Sequence, residues 1–170
     1  MVIMEIRKLY LPVMNNLLYF SNDDSAERKR VYEDLFVETW DSIPKDSRDK
    51  ILENLDFILC KQVNDLWQFD TPACALLNKI NLRCFVIFNP FSNFIEHKTK
   101  IHILAHEFSH VYYNHPRIGF ELGIDKEKKF VEETAEPQAY ALTEKWKILP
   151  HPDDIQKLLS YRKFVLKEKL

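Results

Sequence analysis

Residues 103–115, ILAHEFSHVYYNH, carry three histidines and a glutamate. His106 and His110 are four apart, so on an α-helix they project from one face, one turn above the other. Both imidazoles then aim a ring nitrogen at a single point, the H-E-x-x-H spacing that suits a zinc ion with an open fourth position. Glu107 lies about 100° round the helix from His106 by pitch alone. It is therefore expected beside such an ion rather than bound to it, within reach of a water. Ile101, Leu104, Ala105, Phe108 and Val111 recur between the histidines at helical spacing. The segment reads as a helix starting near Lys98, and Pro116 is expected to end it soon after His115. The alternative is a helix whose histidines are surface or core residues satisfied by hydrogen bonds.

A two-histidine site needs a third protein ligand from elsewhere. The next strongly helical segment, KEKKFVEETAEPQAYALTEKW, offers Glu132, Glu133 and Glu136. Three acids on a helix are ordinarily a solvated face. Two features favour a ligand among them: the intervening loop is long enough for the segment to fold back antiparallel, and Ala135 and Ala139 would let it approach the motif helix closely. A carboxylate there would complete a two-histidine, one-glutamate set.

Working outward, RCFVIFN (83–89) is the clearest strand, stopped by Pro90. With VNDLWQF and ACALLNK it suggests a meander of about three strands. Upstream, Val31, Leu35 and Phe36 mark one helix, with Ser25 as its cap. KDSRDKILENLDFILCKQ reads as a second, with Ile51, Leu52, Leu55, Ile58 and Leu59 as its apolar stripe. Residues 1–20 fit a strand or a helix equally. Downstream, RIGFELGIDKEKK holds both glycines and reads as a loop, with Asp125 capping the glutamate-bearing helix. PDDIQKLLSYRKFVLKEKL reads as a final helix whose Asp153 and Asp154 suit its dipole.

The fold expected is α+β: a helix-rich domain with a short sheet packed against the motif helix. With 170 residues, 46% of them hydrophobic, the chain suits one domain. It divides into an N-terminal helical part over about 1–60, a core over 61–150 and a C-terminal helix over 151–170. A net charge of −2 gives no basic field for nucleic acid or anionic membrane. No window reaches the length of a membrane span, and Glu5, Arg7 and Lys8 break the N-terminal apolar run. Cys60, Cys74 and Cys84, odd in number and without C-x-x-C spacing, read as free thiols of a reducing compartment. A soluble, cytoplasmic protein is expected.

HEFSH followed by EETAE resembles the gluzincin branch of the zincin metallopeptidases. The wider run FVIFNP … IHILAHEFSH … VEETAEPQAYAL … LP is similar to the ImmA/IrrE-like minimal metallopeptidases, over roughly residues 82–150. The resemblance implies one zinc per chain held by His106, His110 and Glu132, the last matching a segment of E-x-x-A type with Ala135. It implies Glu107 as general base in peptide-bond hydrolysis, and Glu136 as an acid orienting a metal-binding histidine. The chain departs from the pattern in two ways. Asn114 stands where that family often has a histidine, with His115 following, and Pro137 should kink the glutamate helix. A donor for the oxyanion would come from Tyr112, Tyr113, His115, Tyr140 or His151, and His102 could share the face of His106. The activity implied is a zinc-dependent endopeptidase acting on a peptide or protein substrate. The alternatives are a catalytically silent zinc-binding or partner-binding module, and a regulatory peptidase specific for one repressor-like protein.

Overall fold

The structure, a computed structural model, describes residues 2–22, 24–61, 73–91 and 96–159. The fold is α+β and helix-rich, with a four-stranded mixed sheet. Among the described residues no helix is long and apolar enough to cross a membrane.

Helix α1 (Val2–Leu17) runs directly into the short strand β1 (Leu18–Phe20), so the opening segment is both a helix and a strand. Helix α2 (Ala26–Ser42) starts as its sequence indicates: the Ser25 hydroxyl oxygen accepts the Arg28 amide at 3.2 Å. Its inward stripe is shifted from the one expected. Tyr32, Leu35, Phe36, Thr39 and Trp40 are buried, whereas Val31 is exposed.

The second helix is shorter than its apolar stripe suggests. Helix α3 (Lys45–Asn54) stops, and Leu55–Cys60 form strand β2. Leu55, Ile58 and Leu59 fit either period, an ambiguity common to short apolar runs. Two long-range contacts decide the outcome. The Arg83 guanidinium donates to the carbonyls of Leu52 and Leu55 at 2.8 and 2.6 Å, satisfying the end of α3. Beyond it, β2 pairs in parallel with β4 (Arg83–Phe88), Ile58 against Val86 and Cys60 against Phe88. The first sixty residues thus contribute two strands as well as helices.

Strand β3 (Ala73–Asn78) returns antiparallel to β4, and the order β1-β2-β4-β3 leaves β3 on an edge. Among the described residues the sheet therefore has four strands rather than three and is not a simple meander. The expected strand at VNDLWQF falls at 63–69, outside the described residues. Ala75 lies opposite Val86 and Ala73 opposite Phe88, on the face turned to the core. These small side chains leave room for the motif helix α4 (His97–Tyr113), which packs on β3 and β4.

The opposite side of α4 meets α2. Phe108 is fully buried between Trp40 (5.4 Å between centroids, edge-to-face) and Phe36 (6.3 Å). Such aromatic contacts add about 0.5–1.5 kcal/mol each to the area they bury. At the far end of α4, the Asn54 side-chain amide donates to the Val111 carbonyl at 3.1 Å and docks α3 there.

Pro116 does not terminate this region. Asn114, at φ 57°, closes α4 in the left-handed conformation that asparagine tolerates. Pro116 then sits in the first turn of α5 (His115–Leu122), where its missing N–H costs nothing. RIGFEL is consequently helix and not loop, and the break comes at Gly123, whose φ of 81° suits glycine. From there one helical run continues: α6 (Ile124–Phe130), a π-helical turn (Val131–Ala135) and α7 (Glu136–Lys145), which packs on α4. Gly123, and not Asp125, occupies the position preceding α6.

The last segment turns through Pro152–Asp154 and is helical to residue 159, with 160–170 outside the described residues. Asp154 is buried rather than merely placed near a helix dipole. It accepts the Glu96 amide at 2.7 Å, where α4 begins. The three cysteines are free thiols. Burial pushes the Cys84 thiol up to about 12 and Cys60 higher still.

Candidate metal centre

The α-helical register of α4 sets His106 and His110 one turn apart, and their Nε2 atoms stand 3.1 Å from each other. Glu136, at the start of α7, completes a triangle. Its Oε2 is 3.4 Å from His106 Nε2, and its Oε1 is 3.5 Å from His110 Nε2. The ligand atoms of the three residues all lie within 4.8 Å of one another, with both histidines buried. Donors at 2.0–2.1 Å from a tetrahedral ion stand roughly 3.3 Å apart, so the three edges match a metal-binding face. Two imidazoles and one carboxylate also form a chemically suitable donor set. The buried His106–His110–Glu136 group could hold a metal ion.

Electrostatics favour the charged carboxylate. Burial alone would raise the Glu136 carboxyl, but its contacts with His106 and His110 outweigh that and hold it well below the usual carboxylate range.

The third corner is Glu136, where the family pattern pointed to Glu132. Glu132 is exposed and pairs with Lys128 at 4.0 Å, and Glu133 pairs with Lys129 at 3.9 Å. The π-helical turn explains the difference. In an uninterrupted α-helix, seven residues at 100° each would leave Glu132 about 20° from Ala139, which faces α4. The wider turn, closed by the Glu136 amide donating to the Val131 carbonyl, inserts extra arc and breaks that phase. Ala135 and Ala139 are both buried, Ala139 on the helix that packs on α4, and Glu136 enters beside them. Glu136, rather than Glu132, therefore joins the two histidines in the group that could hold a metal ion. A signal for this was present: E-x-x-A occurs twice, as Glu132–Ala135 and as Glu136–Ala139, and Pro137 follows directly on the irregular turn.

Glu107 is directed elsewhere, as its helical angle requires. Its Oε2 accepts the amide of Ala75 in edge strand β3 at 2.7 Å. That amide consequently points away from β4, on the side of β3 that is a sheet edge among the described residues.

The remaining candidates separate by distance. Tyr140, one turn beyond Glu136, packs its ring 4.5 Å from that of His106. His115 Nδ1 lies 3.0 Å from His110 Nδ1, and its Nε2 lies 2.9 Å from Gln138 Oε1. Burial pushes the His115 ring down to about 4 despite the bond to Gln138. Tyr113 stacks on His115 at 5.2 Å and thus stands one layer further out. Tyr112 instead meets Trp146 and Lys50, and His151 lies by Thr99 and Asp153. His102 donates from Nδ1 to the Ile148 carbonyl at 2.8 Å, and burial pushes it down to about 4. It is a buried anchor, 6.2 Å from the His106 ring. Gln138 had no signal in the sequence, because its contact depends on the fold-back of α7.

No family model, curated protein or solved structure matches this chain.

Proposed function

We propose that the protein is a zinc-dependent endopeptidase of the zincin type, with His106, His110 and Glu136 as ligands and Glu107 as general base. One observation carries the reading: His106 and His110, on the same stretch of α4 as Glu107, form a triangle with Glu136 of α7, and Glu107 accepts an amide of β3, an edge strand among the described residues. A buried donor set alone would suit a structural ion equally. An adjacent carboxylate beside an edge able to pair with an extended peptide favours hydrolysis.

Zinc bound at this triangle would supply Lewis acidity toward a peptide carbonyl and lower the pKa of a water. Glu107 takes a proton from the attacking water as its oxygen bonds to the carbonyl carbon. It then delivers that proton to the leaving amine nitrogen as the C–N bond breaks. The outer side of β3 aligns the substrate backbone, and Tyr140, whose ring packs 4.5 Å from that of His106, is the candidate donor to the developing oxyanion.

The test is metal analysis of the purified protein together with a proteome-wide cleavage screen, wild type against Glu107→Gln. One metal ion per chain and cleavage products present only with the wild type are expected. Metal binding with identical product profiles from both proteins would instead indicate a silent zinc module. A single cleaved protein would narrow the activity to a dedicated regulatory peptidase.

A further inference from the structure

Only one of the two histidine ligands has its far ring nitrogen tied. Among the described residues, His106 Nδ1 is buried without a hydrogen-bond partner. His110 Nδ1 lies 3.0 Å from His115 Nδ1, and the opposite nitrogen of His115 lies 2.9 Å from Gln138 Oε1. From the order of these atoms we propose that Gln138 and His115 form a proton-positioning relay that fixes His110 in its Nδ1–H tautomer, leaving the Nε2 lone pair for the metal.

The direction of the relay follows from donor inventory. An amide oxygen only accepts, so His115 must carry its proton on Nε2. A neutral imidazole has one such proton, which leaves His115 Nδ1 as an acceptor. The only donor that can face it is an Nδ1–H on His110. A neutral His110 then has no proton on Nε2, at the corner 3.1 Å from His106 Nε2 and 3.5 Å from Glu136 Oε1, and a second proton shared there with Glu136 is one that a metal displaces without disturbing the Nδ1–H. Were the relay reversed, with an amide N–H of Gln138 facing His115, every proton would shift one atom along. His110 would then carry its proton on Nε2, where it could not ligate. The terminal amide of one surface glutamine thus determines which nitrogen of a buried histidine is free.

Three features make the assembly a built one. His115 is 4% exposed, so water does not compete for its ring nitrogens. Its plane is held by Tyr113, stacked at 5.2 Å, and by Phe130, edge-on at 5.7 Å. The left-handed Asn114 supplies the sharp turn that folds His115 back onto His110. Gln138 comes from α7, the helix that also carries Glu136, so docking of α7 would deliver a ligand and the relay's terminal acceptor together. Gln138 and His115 are positioning residues: neither reaches the ligand triangle, and both act through His110.

The consequence for metal affinity rests on the zinc reading above, whereas the tautomer does not. The experiment uses the full chain. Long-range proton–nitrogen correlation of the metal-free protein reports which nitrogen of His110 is protonated, and competition with a chromophoric chelator reports zinc affinity. Gln138→Leu removes the acceptor at an exposed position, and Gln138→Glu keeps an oxygen there. In the wild type His110 is expected to be protonated on Nδ1. Gln138→Leu should lose that preference and weaken zinc about 10–100-fold, while Gln138→Glu retains both the tautomer and at least wild-type affinity. A wild-type His110 without a proton on Nδ1, or a Gln138→Leu protein with unchanged tautomer and zinc affinity, would overturn the relay. A wild type that shows the expected tautomer and binds no zinc would overturn the metal reading and leave the relay standing.

Discussion

Glu107 Oε2 accepts the amide proton of Ala75 at 2.7 Å, a bond that ties the motif helix to the edge strand of the sheet. It separates the glutamate's role from that of its helical neighbours, because His106 and His110 face Glu136 while Glu107 faces β3.

Glu107→Gln is therefore a clean variant. The glutamine oxygen can still accept from Ala75, so the fold and the ligand triangle should persist, but the proton acceptor is gone. Zinc affinity in a chelator competition should match the wild type, and peptide cleavage should fall by at least about 10²–10⁴-fold. A parallel loss of zinc affinity would mean that Glu107 is itself a ligand.

Phe108 occupies the position within the motif that touches neither ligand nor base. It is fully buried between Trp40 and Phe36. Phe108→Ala should cost about 3–5 kcal/mol of folding stability, read as a lowered urea midpoint at unchanged slope. Val31→Ala, at an exposed site of α2, should change stability by no more than about 0.5 kcal/mol.

His102 makes stability depend on pH. In the unfolded chain it titrates near 6.5, and in the fold burial holds it at about 4. Between those values the unfolded state binds the extra proton, so its contribution is complete above about pH 6.5 and is lost as pH falls to about 4. The full effect is about 3 kcal/mol. Asparagine can preserve the donor to the Ile148 carbonyl, so His102→Asn should flatten this acid slope in urea titrations at pH 7, 6, 5 and 4. His115, also held at about 4, titrates in the same window, so the slope should shrink rather than vanish.

The motif helix and strand β4 were legible in the sequence because each carries a strong period of its own. Leu104, Ala105, Phe108 and Val111 repeat helically, and Cys84, Val86 and Phe88 alternate. Strand β2 was not legible. Leu55, Ile58 and Leu59 satisfy both periods, and the deciding partners, Arg83 and the β4 backbone, lie more than twenty residues away. The site divides in the same manner. His106, Glu107 and His110 follow from helix pitch, which is local. The choice of Glu136 over Glu132 depends on one widened helical turn, and two consecutive E-x-x-A patterns hid it.

The identity of the third corner is the central claim, and zinc titration of three proteins tests it most directly. The wild type should bind one zinc per chain, Glu132→Ala should bind with the same affinity, and Glu136→Ala should bind more weakly by orders of magnitude. Undiminished binding by Glu136→Ala, or loss of binding in Glu132→Ala, would contradict the account.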